Sequence, residues 1–164
     1  MPVISLITHI RAPIEDCFDL ARDVETHLRS TAKTREKIAG GVMRGLIGLH
    51  EEVTWEATHL GVRQRLTSRI TIFNRPYHFR DSMVRGAFKR FDHDHFFAHD
   101  QGVTIMKDVF DYTSPLGLLG RLADILVLER HMERLLRTRA EVICATAQAG
   151  AEAQCLRPAP LRSP

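Results

Sequence analysis

Residues 35–39, 51–59, 62–73, 77–85, 88–99 and 103–113 form successive runs in which apolar and polar side chains alternate. Alternation at period two gives each run one face for a core and one for solvent, the pattern of strands in a sheet covered on one side. The breaks, Leu60-Gly61, Asn74-Arg75-Pro76, Gly86-Ala87 and Asp100-Gln101-Gly102, are too short for crossover helices. Successive strands must therefore pair antiparallel, as a meander. Such a sheet needs a cover for its apolar face, and the chain supplies one. After Ser114-Pro115, residues 118–147 read as one long helix with an apolar stripe of Leu122, Ile125, Leu126, Met132, Leu135, Leu136, Val142 and Ile143. Arg121, Arg130, Arg134, Arg137 and Arg139 are expected on its solvated side. Upstream, residues 3–11 read as a strand, and Ala12-Pro13 opens a helical segment through Ile14, Cys17, Phe18, Ala21, Val24 and Leu28.

The expected class is α+β: a curved antiparallel β-sheet wrapped around a long C-terminal α-helix, with short helices after the first strand. At 164 residues, 44% apolar and 26% charged, the chain suits a single domain, residues 1–147, followed by a Pro- and Ala-rich tail, 148–164, expected to be disordered. The net charge of +3 comes from 23 basic against 20 acidic residues spread along the chain, without the concentrated stripe of a nucleic-acid binder. Cys17, Cys144 and Cys155 make no metal-binding spacing and no even set, which favours a reducing compartment. With no leader pattern and no apolar run near the ~20 residues that span a bilayer, a cytoplasmic protein without stable membrane insertion is expected. The glycine-interrupted stretch GGVMRGLIGL, residues 40–49, reads either as a lid over a pocket or as a short buried crossover. The strand at 35–39 offers an edge for pairing in a homodimer.

Parity assigns the inner face. It comprises Val53, Trp55 and Ala57; Val62, Gln64, Leu66, Ser68, Ile70 and Ile72; Phe79, Asp81 and Met83; Phe91, His93, His95 and Phe97; and Met106, Asp108, Phe110 and Tyr112. Arg63, Arg65, Arg69, Arg80 and Lys107 fall outside. The stretch FKRFDHDHFF thus places two imidazoles among phenylalanines. An ionisable group persists there only if it is hydrogen-bonded, neutral or used. A turn at 100–102 that sets Phe97 opposite Met106 also sets His95 opposite Asp108, and a connection through 86–88 sets His93 opposite Asp81.

Three readings of this cluster stand open: a buried polar network, recognition of the polar end of an apolar ligand, and general acid/base catalysis by a His-Asp pair. Histidines two apart on a strand project the same way, and Asp108 is a third donor, so zinc or iron is geometrically permitted. HxH also arises by chance among nine histidines, and no metal or other cofactor is assigned. Trp55 reads as core or as a ligand platform, and Cys17 as core. His9, His27, His50, His59, His78 and His131 share no spacing and read as surface or edge residues. The absence of GxSxG, GxGxxG and GxxxxGK[ST] patterns leaves hydrolase, dinucleotide and kinase chemistry unsupported.

The element order and the motifs GLIGLHEEVTWEATHLG, TSRIT, FRDSMVRGAFKRFDHDHFF and YTSPLGLLGRLAD resemble the START-like, or SRPBCC, helix-grip superfamily of polyketide cyclase/dehydrase-like and pollen-allergen-type proteins, over residues 3–140. The resemblance implies an internal cavity between sheet and C-terminal helix that binds an apolar or amphipathic small molecule. It also implies that some relatives cyclise or dehydrate such molecules. On this reading the ligand-binding set is Trp55, Leu66, Ile70, Phe79, Asp81, Phe91, His93, His95, Phe97, Met106, Asp108, Phe110 and Tyr112. Were the chain an enzyme, His95 would be the base and Asp108 its orienter. A module that binds a partner through its outer faces is the remaining alternative.

Overall fold

The computed structural model describes residues 2–59, 61–113 and 127–155. Strand β1 (Val3–Ile10) leads into helices α1 (Ile14–Ala21) and α2 (Val24–Ser30) and a 3₁₀ turn (Ala32–Thr34). The meander β2 (Lys37–Gly41), β3 (Glu52–His59), β4 (Val62–Asn74), β5 (His78–Arg85), β6 (Arg90–Asp100) and β7 (Val103–Thr113) follows, and helix α3 (Glu129–Cys155) completes the order. Hairpin succession sets the order β7-β6-β5-β4-β3-β2, and β1 returns to pair with β7. Every pairing is antiparallel. Asp100 pairs with Val103 across Gln101-Gly102, whose φ angles are +47° and +82°. This is the primed-turn conformation that matches strand twist. Register shifts in β2–β3 and β4–β5 bend the sheet.

That bending alters one part of the expected parity. The shift between Ile70 and Ile72 turns Ile72 outward, where it is 37% exposed, and brings Phe73 inward. Val62, at the strand's start, is also exposed. The remaining inner face agrees with the alternation. On the outer face Arg63 and Arg65 pair with Glu56, Arg69 with Glu52, and Arg80 with Asp94.

Helix α1 presses Phe18 edge-on into Phe73, Phe79 and Phe97, at centroid distances of 5.5, 5.2 and 5.4 Å. Cys17 lies beside it, fully buried, and burial pushes its thiol up to about 11. It is a core residue rather than a nucleophile. Helix α3 packs on β1, α1 and α2 through Leu136, Ala140, Ile143 and Ala147. It continues to Cys155, past the expected end of the domain at residue 147. The expected helical residues 118–126 and the tail residues 156–164 lie outside the described residues.

The glycine-rich stretch is held as a crossover. Val24 N–H donates to Gly45 O at 3.0 Å, Ile47 N–H to Arg22 O at 3.1 Å and Gly45 N–H to Glu25 Oε2 at 2.8 Å, while Ile47 is buried in the main core. Gly41 ends β2 at φ +78°, and a Cβ there would lie 2.1 Å from the Glu52 carbonyl oxygen. Gly61 has nearly the same φ, +79°, with nothing among the described residues within 4 Å of such a Cβ. Gly41→Ala should therefore cost roughly 2 kcal/mol or more, and Gly61→Ala about 1 kcal/mol. Urea unfolding of the two variants tests this, and equal losses would show that the close approach at Gly41 is not held.

Candidate functional site

The concave face of the sheet and the inner face of α3 do not meet along their whole length. Helix α1 fills one end with the Phe18 cluster, and Ile4, Phe91, Phe110, Tyr112 and Leu136 form a second cluster. Beside these packed regions, between sheet and helix, is a cavity of about 480 Å³. Its walls are largely apolar: Leu66, Phe88, Phe91 and Phe110 on the sheet side, and Met132, Leu135 and Leu136 on α3.

Polar groups interrupt these walls in three places. The His27 ring stacks on Trp55 at 4.1 Å, with its Nε2 3.4 Å from Glu36 Oε1. Burial alone would raise the Glu36 carboxyl, but His27, with Thr31 and His59 adding to it, outweighs burial and holds Glu36 below the usual carboxylate range. His59 Nδ1 and His131 Nε2 are 3.1 Å apart, joining β3 to α3.

The third place is the cluster on β5, β6 and β7, where the register sets Asp81 opposite His93 and His95 opposite Asp108. Oδ1 of Asp108 lies 2.6 Å from His95 Nδ1 and 3.3 Å from His93 Nε2. Oδ1 of Asp81 lies 3.7 Å from His93 Nδ1 and 3.9 Å from His95 Nε2. The short His95–Asp108 approach does not meet the geometry of an aligned hydrogen bond, so the carboxylate meets the ring edge as an ion–dipole contact. Burial, with His93 adding to it, pushes His95 down to about 4 despite Asp108. The imidazole is neutral near pH 7. Burial would raise the Asp108 carboxyl, yet the two histidines more than offset it and hold Asp108 well below the usual carboxylate range.

Of the residues expected to meet a ligand, Trp55, Leu66, Asp81, Phe91, His93 and Phe110 line the cavity. Ile70 and Phe79 border a neighbouring void of about 40 Å³. His95, Phe97, Met106, Asp108 and Tyr112 are buried in the core and do not line the cavity. The Phe79 ring covers His95 at 4.2 Å and His93 stands 3.9 Å away, so the cluster's imidazole at the cavity wall is His93.

The wall also holds residues that sequence reasoning left at the surface. His27 falls on one helical face with Val24 and Thr31, His59 continues the inward parity of Val53, Trp55 and Ala57, and His131 and Arg139 flank Leu135 at helical spacing. Each carried a readable periodicity. Arg139 donates to the Ala21 carbonyl oxygen instead of standing in solvent.

No protein-family profile and no curated protein matches the chain. Solved structures do. A Thermus thermophilus protein matches at a TM-score of 0.70 and 20% identity, over 89% of this chain and 99% of that one. The Zhui aromatase/cyclase of a Streptomyces species matches at 0.69 and 14% identity, over 89% and 93%. A START superfamily protein of Mycobacterium smegmatis matches at 0.60 and 11% identity, over 93% and 98%. These likenesses establish the fold, which is the START-like helix-grip fold.

The His59–His131 pair has a pH consequence. Burial holds both below the ordinary imidazole range, His59 and Arg134 lower His131 further, and Glu36 opposes the shift on His59. The unfolded chain takes up these protons near pH ~6.5 and the folded chain only at lower pH. Stability is therefore full above that pH and declines as pH falls below it. Melting temperature should drop between about pH 7 and pH 5, and His131→Gln should flatten part of the slope, His95 supplying the rest. An unchanged slope in that variant would remove the pair as a cause.

Proposed function

We propose that the chain binds an apolar or amphipathic small molecule in the cavity between the sheet and α3. The observation that carries this reading is the unfilled space of about 480 Å³ inside a fold whose walls there are mostly aliphatic and aromatic. That volume falls within the range of small-molecule sites, roughly 300–1,000 Å³. Close-packed interiors rarely leave such a space without use. Magnitudes favour a ligand with a sizeable apolar body. A chain of about eight methylenes gains ~6 kcal/mol on burial, which exceeds the low end, ~4 kcal/mol, of the association cost. The interruptions at His93–Asp81, His27–Glu36 and His59–His131 then orient the molecule's polar groups.

Acid/base chemistry on the bound molecule is the second reading, and the wall position of His93 favours it in a changed form. His95, the expected base, is fully buried behind Phe79. His93 is the imidazole within reach of a ligand, with Asp108 behind it at 3.3 Å. The aromatase/cyclase among the structural neighbours is consistent with such use of the fold.

Leu135 faces the cavity from a partly exposed position on α3. Leu135→Trp should lower the affinity for an apolar fluorescent probe such as anilinonaphthalene sulfonate by about tenfold or more, roughly 1.4 kcal/mol. The melting temperature should stay near that of the parent. A probe bound equally well by parent and variant would place binding outside the cavity and overturn the reading.

A further inference from the structure

At the sheet wall three atoms able to ligate a metal converge, His93 Nδ1, His95 Nε2 and Asp81 Oδ1. Asp108 Oδ1 approaches one nitrogen of each ring, 2.6 Å from His95 Nδ1 and 3.3 Å from His93 Nε2. The opposite nitrogens, His95 Nε2 and His93 Nδ1, face Asp81 Oδ1, 3.9 and 3.7 Å away. His95 is wholly buried, and among the described residues neither of its ring nitrogens nor Asp81 Oδ1 has a hydrogen-bond partner. Burying polar atoms without partners carries a desolvation cost. A cation at their meeting point removes that cost.

We propose that Asp81, His93 and His95 bind a divalent transition-metal ion at the sheet wall of the cavity, with Asp108 as the outer carboxylate that orients both imidazoles. The donor atoms already lie within 4.8 Å of one another. Metal bonds of about 2.1 Å in a tetrahedron need donors about 3.4 Å apart. The two Asp81 contacts, 3.7 and 3.9 Å, close by about half an ångström or less, and the widest separation, up to 4.8 Å, by up to about 1.4 Å. Asp81, 23% exposed and without a hydrogen-bond partner at Oδ1 among the described residues, can rotate toward the two rings. Two imidazoles and one carboxylate suit zinc, iron(II), cobalt or nickel better than magnesium or calcium. A buried carboxylate behind metal-binding histidines is the usual support for such a site.

The charges agree. Asp81 and Asp108 bring two negative charges, and the opposing group on α3, Arg139, is tied to the Ala21 carbonyl oxygen. Because His93 and Asp81 line the cavity, the remaining coordination position opens into it, where water or a carbonyl or hydroxyl oxygen of a bound molecule would sit. Only that last point rests on the proposed function. Metal binding stands independently of it.

The test is titration of tag-free, chelator-stripped protein with Co²⁺, read by its visible absorption, with Zn²⁺ as competitor. The expected result is saturation at one equivalent with the intense bands of a four- or five-coordinate ion, abolished by Zn²⁺. Asp81→Asn, which breaks no hydrogen bond at Oδ1, should weaken binding at least tenfold, and His9→Gln, on the exposed side of β1, should leave it unchanged. Absence of saturable binding overturns the proposal. So does Co²⁺ affinity that survives Asp81→Asn, or that is lost with His9→Gln. Loss of probe binding in Leu135→Trp with Co²⁺ binding retained would separate the two sites experimentally.

Discussion

An ionised carboxylate beneath two imidazoles, Asp108 with His95 and His93, is the interaction on which the sheet depends. Removing a carboxylate from water carries a penalty of several kcal/mol even after relaxation, and only close compensating partners offset it. The partners come from the neighbouring strand, so compensation exists in one register alone. A slip of one residue would turn Asp108 to the outer face and bring Lys107 inward. The buried charge cluster therefore fixes the β6–β7 pairing and, through Asp81 opposite His93, the β5–β6 pairing too.

With the register fixed, the cavity follows from how the concave face is covered. Helix α1 contributes Phe18, whose ring meets three sheet phenylalanines and fills the end near the β4–β5 turn. Helix α3 approaches closely where alanines lie on its inner face, Ala140 and Ala147, and packs there with α1. Toward its N-terminal end it presents Met132, Leu135 and Leu136 instead. These side chains line the space without filling it. Small residues thus hold one end of the helix down, and larger ones face the unfilled end.

Much of this is legible in the sequence because strand parity is a strong constraint. The positions of His93, His95, Asp81 and Asp108 on one face, and their cross-strand pairing, follow from alternation and turn length alone. The signal fails where geometry departs from a regular strand. A register shift at Ile70/Ile72 is invisible in residue types that are all β-formers, so alternation puts Ile72 inside and Phe73 outside, the reverse of what the sheet does. Depth is also illegible. Parity says which way a side chain points but not whether another ring covers it, and the stacking of Phe79 on His95 is a tertiary fact. His59 is a different case, since its parity is inward and only the habit of treating isolated histidines as surface residues hides it.

The separation of apolar and polar labour explains how the fold persists among proteins with 11–20% identity to this chain. Sheet curvature, hairpin lengths and an amphipathic closing helix can be met by many sequences, because each asks for a pattern of side-chain types rather than for named residues. The polar interruptions depend on position instead. Moving Asp81 or His93 by one position would place either on the outer face while leaving the hydrophobic count almost unchanged. Fold and cavity wall are thus encoded at different resolutions: the alternation of β5 and β6 specifies the sheet, and the identities of Asp81 on β5 and His93 on β6 specify polar groups at the wall.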